Sequence, residues 1–222
     1  QIVCENWRNL ISVGANPIAI TNCLNFGNPE NKEIMGEFAE CIQGIKEACE
    51  FLNFPVVSGN VSFYNGTNQK SIFPTPVIGG VGLIPDISKT LNHYFKKENS
   101  NILLIGKTFG HIEQSCFMKE NFSISEGLPP EINLNNEKNN GETVLQLIRK
   151  NLVTSVHDIS SGGLLVALSE MSIGTNLGAK IYKPKKLTNK FEYFFGEDQG
   201  RYVIEIKPKN LEKVERMLKK ES

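Results

Sequence analysis

The segment from Asn31 to Leu52 constrains this chain more than any other. Ile34, Phe38, Cys41, Ile42, Ile45, Cys49 and Leu52 recur at mostly three- and four-residue steps, which puts one apolar stripe on a long helix. Such a stripe needs a surface to cover, and the flanks supply one. Pro17–Thr21 before it and Val56–Val61 after it read as strands, with Pro55 closing the helical unit. Asn28-Pro29, followed by Glu30 and Glu33, offers a capping oxygen, a pre-set φ and acidic side chains to the positive end of the helix dipole. The order helix, strand, loop, helix, strand is that of an α/β fold.

Ile72-Phe73 and Val77–Leu83 read as further strands, and the polar stretch Ser88–Ser100 as a boundary. This divides the chain into subdomains at 1–95 and 96–222. The second has a buried strand at Ile102–Ile105, then a surface connection at Glu126–Asn140. Thr143–Leu152 reads as a helix, Val153–Val156 as a strand and Leu164–Ser172 as a helix. Strands at Ala179–Tyr182 and Tyr202–Ile206 precede an amphipathic helix at Leu211–Leu218. Near the start, Trp7, Leu10, Ile11 and Val13 look like the middle of a packed helix, so the natural protein is expected to be longer.

Lys and Arg number 24 and Asp and Glu number 24. That balance gives no general electrostatic reason to bind nucleic acid or an acidic membrane. Five cysteines at irregular gaps, without a C-x-x-C pair, argue against a disulfide framework and for a reducing compartment. The longest apolar stretch, Val77–Ile84, contains three glycines and is too short to span a bilayer. The expected location is the cytoplasm.

Three polar, glycine-containing strings sit at expected strand ends. Thr21–Pro29 carries Asn22, Asn25, Gly27 and Asn28 ahead of a helix. It reads either as a site for an anion or base at unpaired helix amides, or as an Asx-rich capping turn. In Ser58–Ser62, Gly59 marks a close approach by a ligand or another backbone. Asn60 there offers a carbonyl oxygen suited to Mg²⁺, and Ser58 and Ser62 offer hydroxyls to phosphate. The alternative is a β-bulge with solvent-facing side chains. In His157–Gly163, successive amides from Ser160 onward form a nest for phosphate, while His157 is a base or a structural histidine. Gly196–Arg201 gathers two carboxylates, an amide and an Arg into a polar-substrate site or a salt-linked hairpin. Cys23 has no cationic neighbour to activate it and reads as a packing residue.

Together these strings resemble a family. Pro17–Pro29 closely resembles the segment opening the second half of formylglycinamidine ribonucleotide synthases. The resemblance continues through Pro55–Asn65 and Pro74–Gly79, then His157–Leu164 and Phe195–Arg201, in the right order over nearly the whole chain. The wider superfamily includes aminoimidazole ribonucleotide synthetase, selenophosphate synthetase and thiamine-monophosphate kinase. The resemblance implies an N-terminal subdomain that pairs with a like subdomain into a shared barrel, and a C-terminal α/β subdomain beside it.

It also implies a reaction. ATP activates the amide oxygen of formylglycinamide ribonucleotide, and ammonia then displaces phosphate to give the amidine of purine biosynthesis. By position, Asn22 and Gly59 would contact ATP, Asn60 would bind Mg²⁺, and Ser62 would contact the ribonucleotide. Asn22 stands where the family usually has Asp, which favours a hydrogen bond to nucleotide over a direct metal role. The family's catalytic histidines and main Mg²⁺-binding acids belong to a first half outside these residues, so no catalytic residue is assigned here. Implied partners are that first half, a glutaminase subunit or domain supplying ammonia, and a small bridging subunit. The chain alone is expected to self-associate. Two alternatives stand beside this reading: another ATP-using enzyme of the superfamily, and a non-catalytic nucleotide-holding scaffold. Asn22, Asn25 and Asn28 disfavour the first, because superfamily kinases carry acidic metal clusters in that region.

Overall fold

In the computed structural model, residues 1–68, 70–182, 184 and 189–221 are described, without the side chains of 220 and 221. The chain divides into two compact units, one of residues 1–10 and 16–83, the other of 11–15 and 84–222.

The first unit begins with α1 (Ile2–Ser12), through Leu10, followed by β1 (Asn16–Asn25), α2 (Lys32–Leu52) and β2 (Val56–Ser62). A small hairpin of β3 (Gly66–Thr67) and β4 (Lys70–Ser71) leads to β5 (Thr75–Leu83). The main sheet has the order β2-β1-β5, parallel between β1 and β2 and antiparallel between β1 and β5. Asn31, rather than Asn28, caps α2: its side chain accepts from the Glu33 amide, while Asn28 forms an Asx turn to Glu30. Ile45, Ala48, Cys49 and Leu52 are the buried residues of α2, so the expected stripe is buried in its C-terminal half. On β5, Gly80 leaves room for α1: a Cβ there would lie 1.9 Å from Asn6 Oδ1, so Asn6 would have to move. Asn6 in turn donates to the Ile78 carbonyl at 3.3 Å. Helices therefore cover the face of the sheet that carries Ile78 and Gly80.

The second unit contains β6 (Asn101–Ile105), α3 (Cys116–Phe122), α4 (Leu134–Arg149), β7 (Ser155–Ile159) and α5 (Gly163–Ser172). Next come α6 (Lys190–Phe195), β8 (Arg201–Ile206) and α7 (Leu211–Glu221). Its sheet is antiparallel, in the order β6-β8-β7. Val203 packs in a cluster with Ile159, Leu164, Leu168 and Met171, while Tyr202 and Ile204 on the opposite face are equally inaccessible. Both faces of this sheet are covered.

Several expected boundaries shift. Thr21–Asn25 lies inside a strand rather than past its end, while Ser58–Ser62 belongs to the strand read at Val56–Val61, which runs on to Ser62. Ile72-Phe73 falls between strands, and Ala179–Tyr182 pairs with no strand among the described residues. Helix α4 starts at Leu134, inside the stretch read as a surface connection, because Asn133 caps it by accepting from the Asn136 amide. The His157–Ile159 part of the third string is the end of β7.

Candidate functional site

The register between β1 and β2 sets Asn22 opposite Gly59, Cys23 opposite Asn60 and Asn25 opposite Ser62. All four expected site residues therefore sit on two adjacent parallel strands. They divide between the two faces of the sheet, since alternate strand residues point to opposite sides.

Asn22 and Gly59 share the helix-covered face. A Cβ at position 59 would lie 2.0 Å from Asn22 Oδ1, so only glycine lets the Asn22 carboxamide rest on this strand. Asn22 also lines a cleft of about 480 Å³ beneath α2, with Ile42, Ile45, Phe54 and Val56 as apolar walls and Lys46 at its rim. A planar group with a polar edge suits such a space.

Asn60 and Ser62 project to the opposite, open face beside Cys23 and Asn25. Asn60 Nδ2 lies 4.0 Å from Cys23 Sγ, and Asn25 Nδ2 lies 3.6 Å from the same sulfur. Asn25 also donates to the Thr75 carbonyl of β5 at 3.4 Å. The side chains gathered here, with Thr21 and Ser58 next in register, are neutral oxygen, nitrogen and sulfur groups. Among the described residues no group of three or more His, Cys, Asp or Glu is placed to hold a metal ion. Asn60 offers this face a neutral side-chain oxygen, the donor type that a hard cation such as Mg²⁺ takes. Mg²⁺ commonly combines one or two protein ligands with substrate phosphates.

Two aromatic contacts fix this end of the strands. Phe26 meets Phe38 of α2 edge-on at 5.1 Å, and Phe38 meets Phe63 at 5.1 Å. Asn65, which the residue patterns alone did not single out, donates to the carbonyls of Phe26 and Ser62 at 3.1 and 2.9 Å. An Asn just past a strand and ahead of a Gly is the kind of turn residue that would have drawn attention to it.

The other two strings are built mainly from internal contacts. Glu197 accepts from the Gly162 and Cys116 amides at 2.7 and 2.8 Å, so a carboxylate already occupies part of the 160–163 nest. Asp198 accepts from the amides of Phe109, Gly110 and His111, all at 3.0 Å. Buried Arg201 closes the clasp by donating to the Asp198 and Gly196 carbonyls. The salt-linked alternative describes this turn. His157 is not isolated either. Its Nε2 lies 3.0 Å from Glu170 and its Nδ1 3.4 Å from Asp158. Burial pulls its pKa down, but hydrogen bonds and charge from Asp158 and Glu170 outweigh that, and the net shift is upward. The His93 ring lies 5.0 Å away and is shifted downward, by burial and then by the charge of His157.

All five cysteines are free thiols. No helix among the described residues is long and apolar enough to cross a membrane.

Comparison with known proteins places this geometry in context. The chain is 58% identical over all 222 residues to phosphoribosylformylglycinamidine synthase subunit PurL of Pelagibacter ubique, covering 30% of that protein. It is 51% identical over 207 residues to the subunit of the same name from Bradyrhizobium diazoefficiens, covering 28% of it. The chain thus spans under a third of the length of these relatives. In fold it resembles Thermotoga maritima PurL complexed with FGAR, with a TM-score of 0.72 at 17% identity over 99% of this chain and 36% of that one. The hydrogenase maturation protein HypE has a TM-score of 0.68 at 13% identity, over 99% of this chain and 68% of that one. Models of the AIR synthase related protein match directly, the N-terminal domain at residues 1–84 and the C-terminal domain at 97–222. Between them these two models account for nearly the whole sequence, and the chain belongs to the AIR synthase related protein family.

Proposed function

We propose that this chain is part of an ATP-dependent formylglycinamidine ribonucleotide synthase, acting in purine biosynthesis with subdomains at 1–95 and 96–222. The strand register supports the reading most directly, because it brings Asn22, Gly59, Asn60 and Ser62 onto one pair of strands. The 58% identity with the Pelagibacter subunit, across the whole chain, agrees with it.

In this reading the nucleotide is held from the helix-covered face and the strand edge by Asn22 and Gly59. Asn60 gives one oxygen to Mg²⁺, and the Ser62 hydroxyl binds formylglycinamide ribonucleotide. The cation, when bound, offsets charge on the transferring phosphoryl group. This chain's part is orientation, since its site residues are neutral donors and acceptors. The first half of the synthase, a glutaminase subunit or domain and a small bridging subunit complete the assembly, in the cytoplasm. The open face of the first unit pairs there with a like subdomain. The 222 residues alone form no amidine.

Substitution at the paired strands in the intact synthase tests the reading. Asn60→Leu keeps similar bulk and removes the oxygen, and kcat falls about a hundredfold, roughly 3 kcal/mol, with the melting temperature unchanged. Gly59→Val displaces the Asn22 carboxamide and chiefly raises the KM for ATP. Normal kcat in a well-folded Asn60→Leu enzyme ends the metal role.

A further inference from the structure

The strand carrying Ser62 is followed by a turn whose geometry is expensive. Tyr64 adopts φ 60°, in the left-handed region that bulky side chains avoid, and the residue is 66% exposed. Something must hold this turn in place. The Tyr64 amide donates to the Gly27 carbonyl at 2.9 Å, and the Asn65 amide to the Phe26 carbonyl at 3.2 Å. Phe26 also donates its own amide to the Ser62 carbonyl at 3.0 Å, which ties the ends of β1 and β2 together.

The Asn65 carboxamide sits at the centre of this knot. Its Nδ2 reaches the Phe26 carbonyl at 3.1 Å, the Ser62 carbonyl at 2.9 Å and Ser62 Oγ at 3.1 Å. The Ser62 hydroxyl also lies 3.3 Å from Asn65 Oδ1, to which it can donate. A serine hydroxyl ordinarily rotates to suit its surroundings. Here one side chain engages its oxygen and the carbonyl of the same residue, leaving it one remaining lone pair to offer outward. A hydroxyl oriented before ligand arrives loses less freedom on binding.

We propose that Asn65 is a positioning residue that sets the Ser62 hydroxyl for the ribonucleotide, acting through Ser62 and not on the substrate itself. The inference rests on the assignment of Ser62 to substrate. Nothing in it depends on Mg²⁺, Asn60 or the nucleotide site on the other face of the sheet.

The test is steady-state kinetics of the intact synthase, with formylglycinamide ribonucleotide and ATP varied separately. Asn65→Ala removes the whole carboxamide. Asn65→Asp keeps its size and its acceptor but cannot donate to the two carbonyls. Both raise the KM for ribonucleotide about tenfold, equivalent to roughly 1.4 kcal/mol. The KM for ATP and kcat stay within about twofold, a split that general loosening of the strand ends would not give. Ser62→Ala gives a similar rise, and Asn65→Ala adds little in the Ser62→Ala background, because both lose the same interaction. Should Asn65→Ala fail to fold, the Asn65→Asp pair with Ser62→Ala carries the same comparison. If Ser62→Ala raises KM while the Asn65 variants do not, or if the effects add fully, the positioning role is wrong and the substrate assignment survives. An unchanged KM in Ser62→Ala removes the assignment and this inference together.

Discussion

Both units set a three-stranded sheet against helices, yet every residue of β8 is buried and no residue of β2 is. In the second unit, burial forces each polar group to find a partner inside the fold. Glu205, at 1% exposure, accepts from the Lys96 and Lys97 amides and from the hydroxyls of Thr154 and Ser155. Asp198 and Arg201 are tied down in the same way. In the first unit, Asn60 is exposed and part of its hydrogen-bonding capacity faces outward. Val77, Val81 and Leu83 lie 51%, 54% and 58% exposed on the same open side of β5. One sheet spends its polar groups on its own stability. The other leaves Asn60 exposed, beside apolar surface suited to being covered.

Glu205→Ala tests the closed sheet hardest. It leaves two amides and two hydroxyls without their acceptor, and chemical denaturation should show a loss of about 3 kcal/mol or more. Asn60→Leu in the same assay should stay within about 0.5 kcal/mol. A comparable loss from both substitutions would erase the contrast between the sheets.

A smaller effect is expected from the open face. The 222-residue chain should sediment as a dimer at tens of micromolar, roughly where weak specific contacts form. Val77→Lys and Val81→Lys place like charges on that face and should weaken association at least about tenfold, or 1.4 kcal/mol, without lowering monomer stability. A wild-type chain that stays monomeric contradicts the account of this face.

How far the sequence revealed this contrast depended on where its polar residues lay. The long α2 stripe and the β6 and β8 runs were legible, because their apolar spacing is simple. Thr21–Asn25 reads as a loop because strands are expected to be apolar, yet an open face accepts Asn and Thr at strand positions without burying them. The first turns of α4 were hidden by Asn135, Asn136, Asn139 and Asn140, poor helix formers on their own, with Asn133 supplying the cap. Ala179–Tyr182 has strand-like composition but pairs with no strand among the described residues. The division of Asn22 and Gly59 from Asn60 and Ser62 was beyond the sequence, because register decides it. The internal use of Glu197 and Asp198 was equally out of reach, since their acceptor roles join residues far apart in the chain.

The smallest effect concerns His157. Its pKa is raised above the ordinary 6.5, so its pairing with Asp158 and Glu170 contributes stability below about pH 6.5 that is lost as pH rises through the folded value. His93 is lowered from 6.5, so folding favours its neutral form and stability is lost as pH falls toward that value. Half-exposed Glu170 keeps the first contribution to about 1 kcal/mol or less. His157→Gln should therefore cost more at pH 6 than at pH 8, and His93→Gln should improve relative stability at pH 5. Equal losses at every pH would assign both rings to packing alone.

Hydrogen exchange of the intact synthase, with and without ATP and formylglycinamide ribonucleotide, compares the two sheets most directly. Ligands should slow exchange at 58–65 in β2 and its turn, while 201–206 in β8 stays protected throughout. Unchanged exchange at 58–65 under saturating ligands would contradict this expectation.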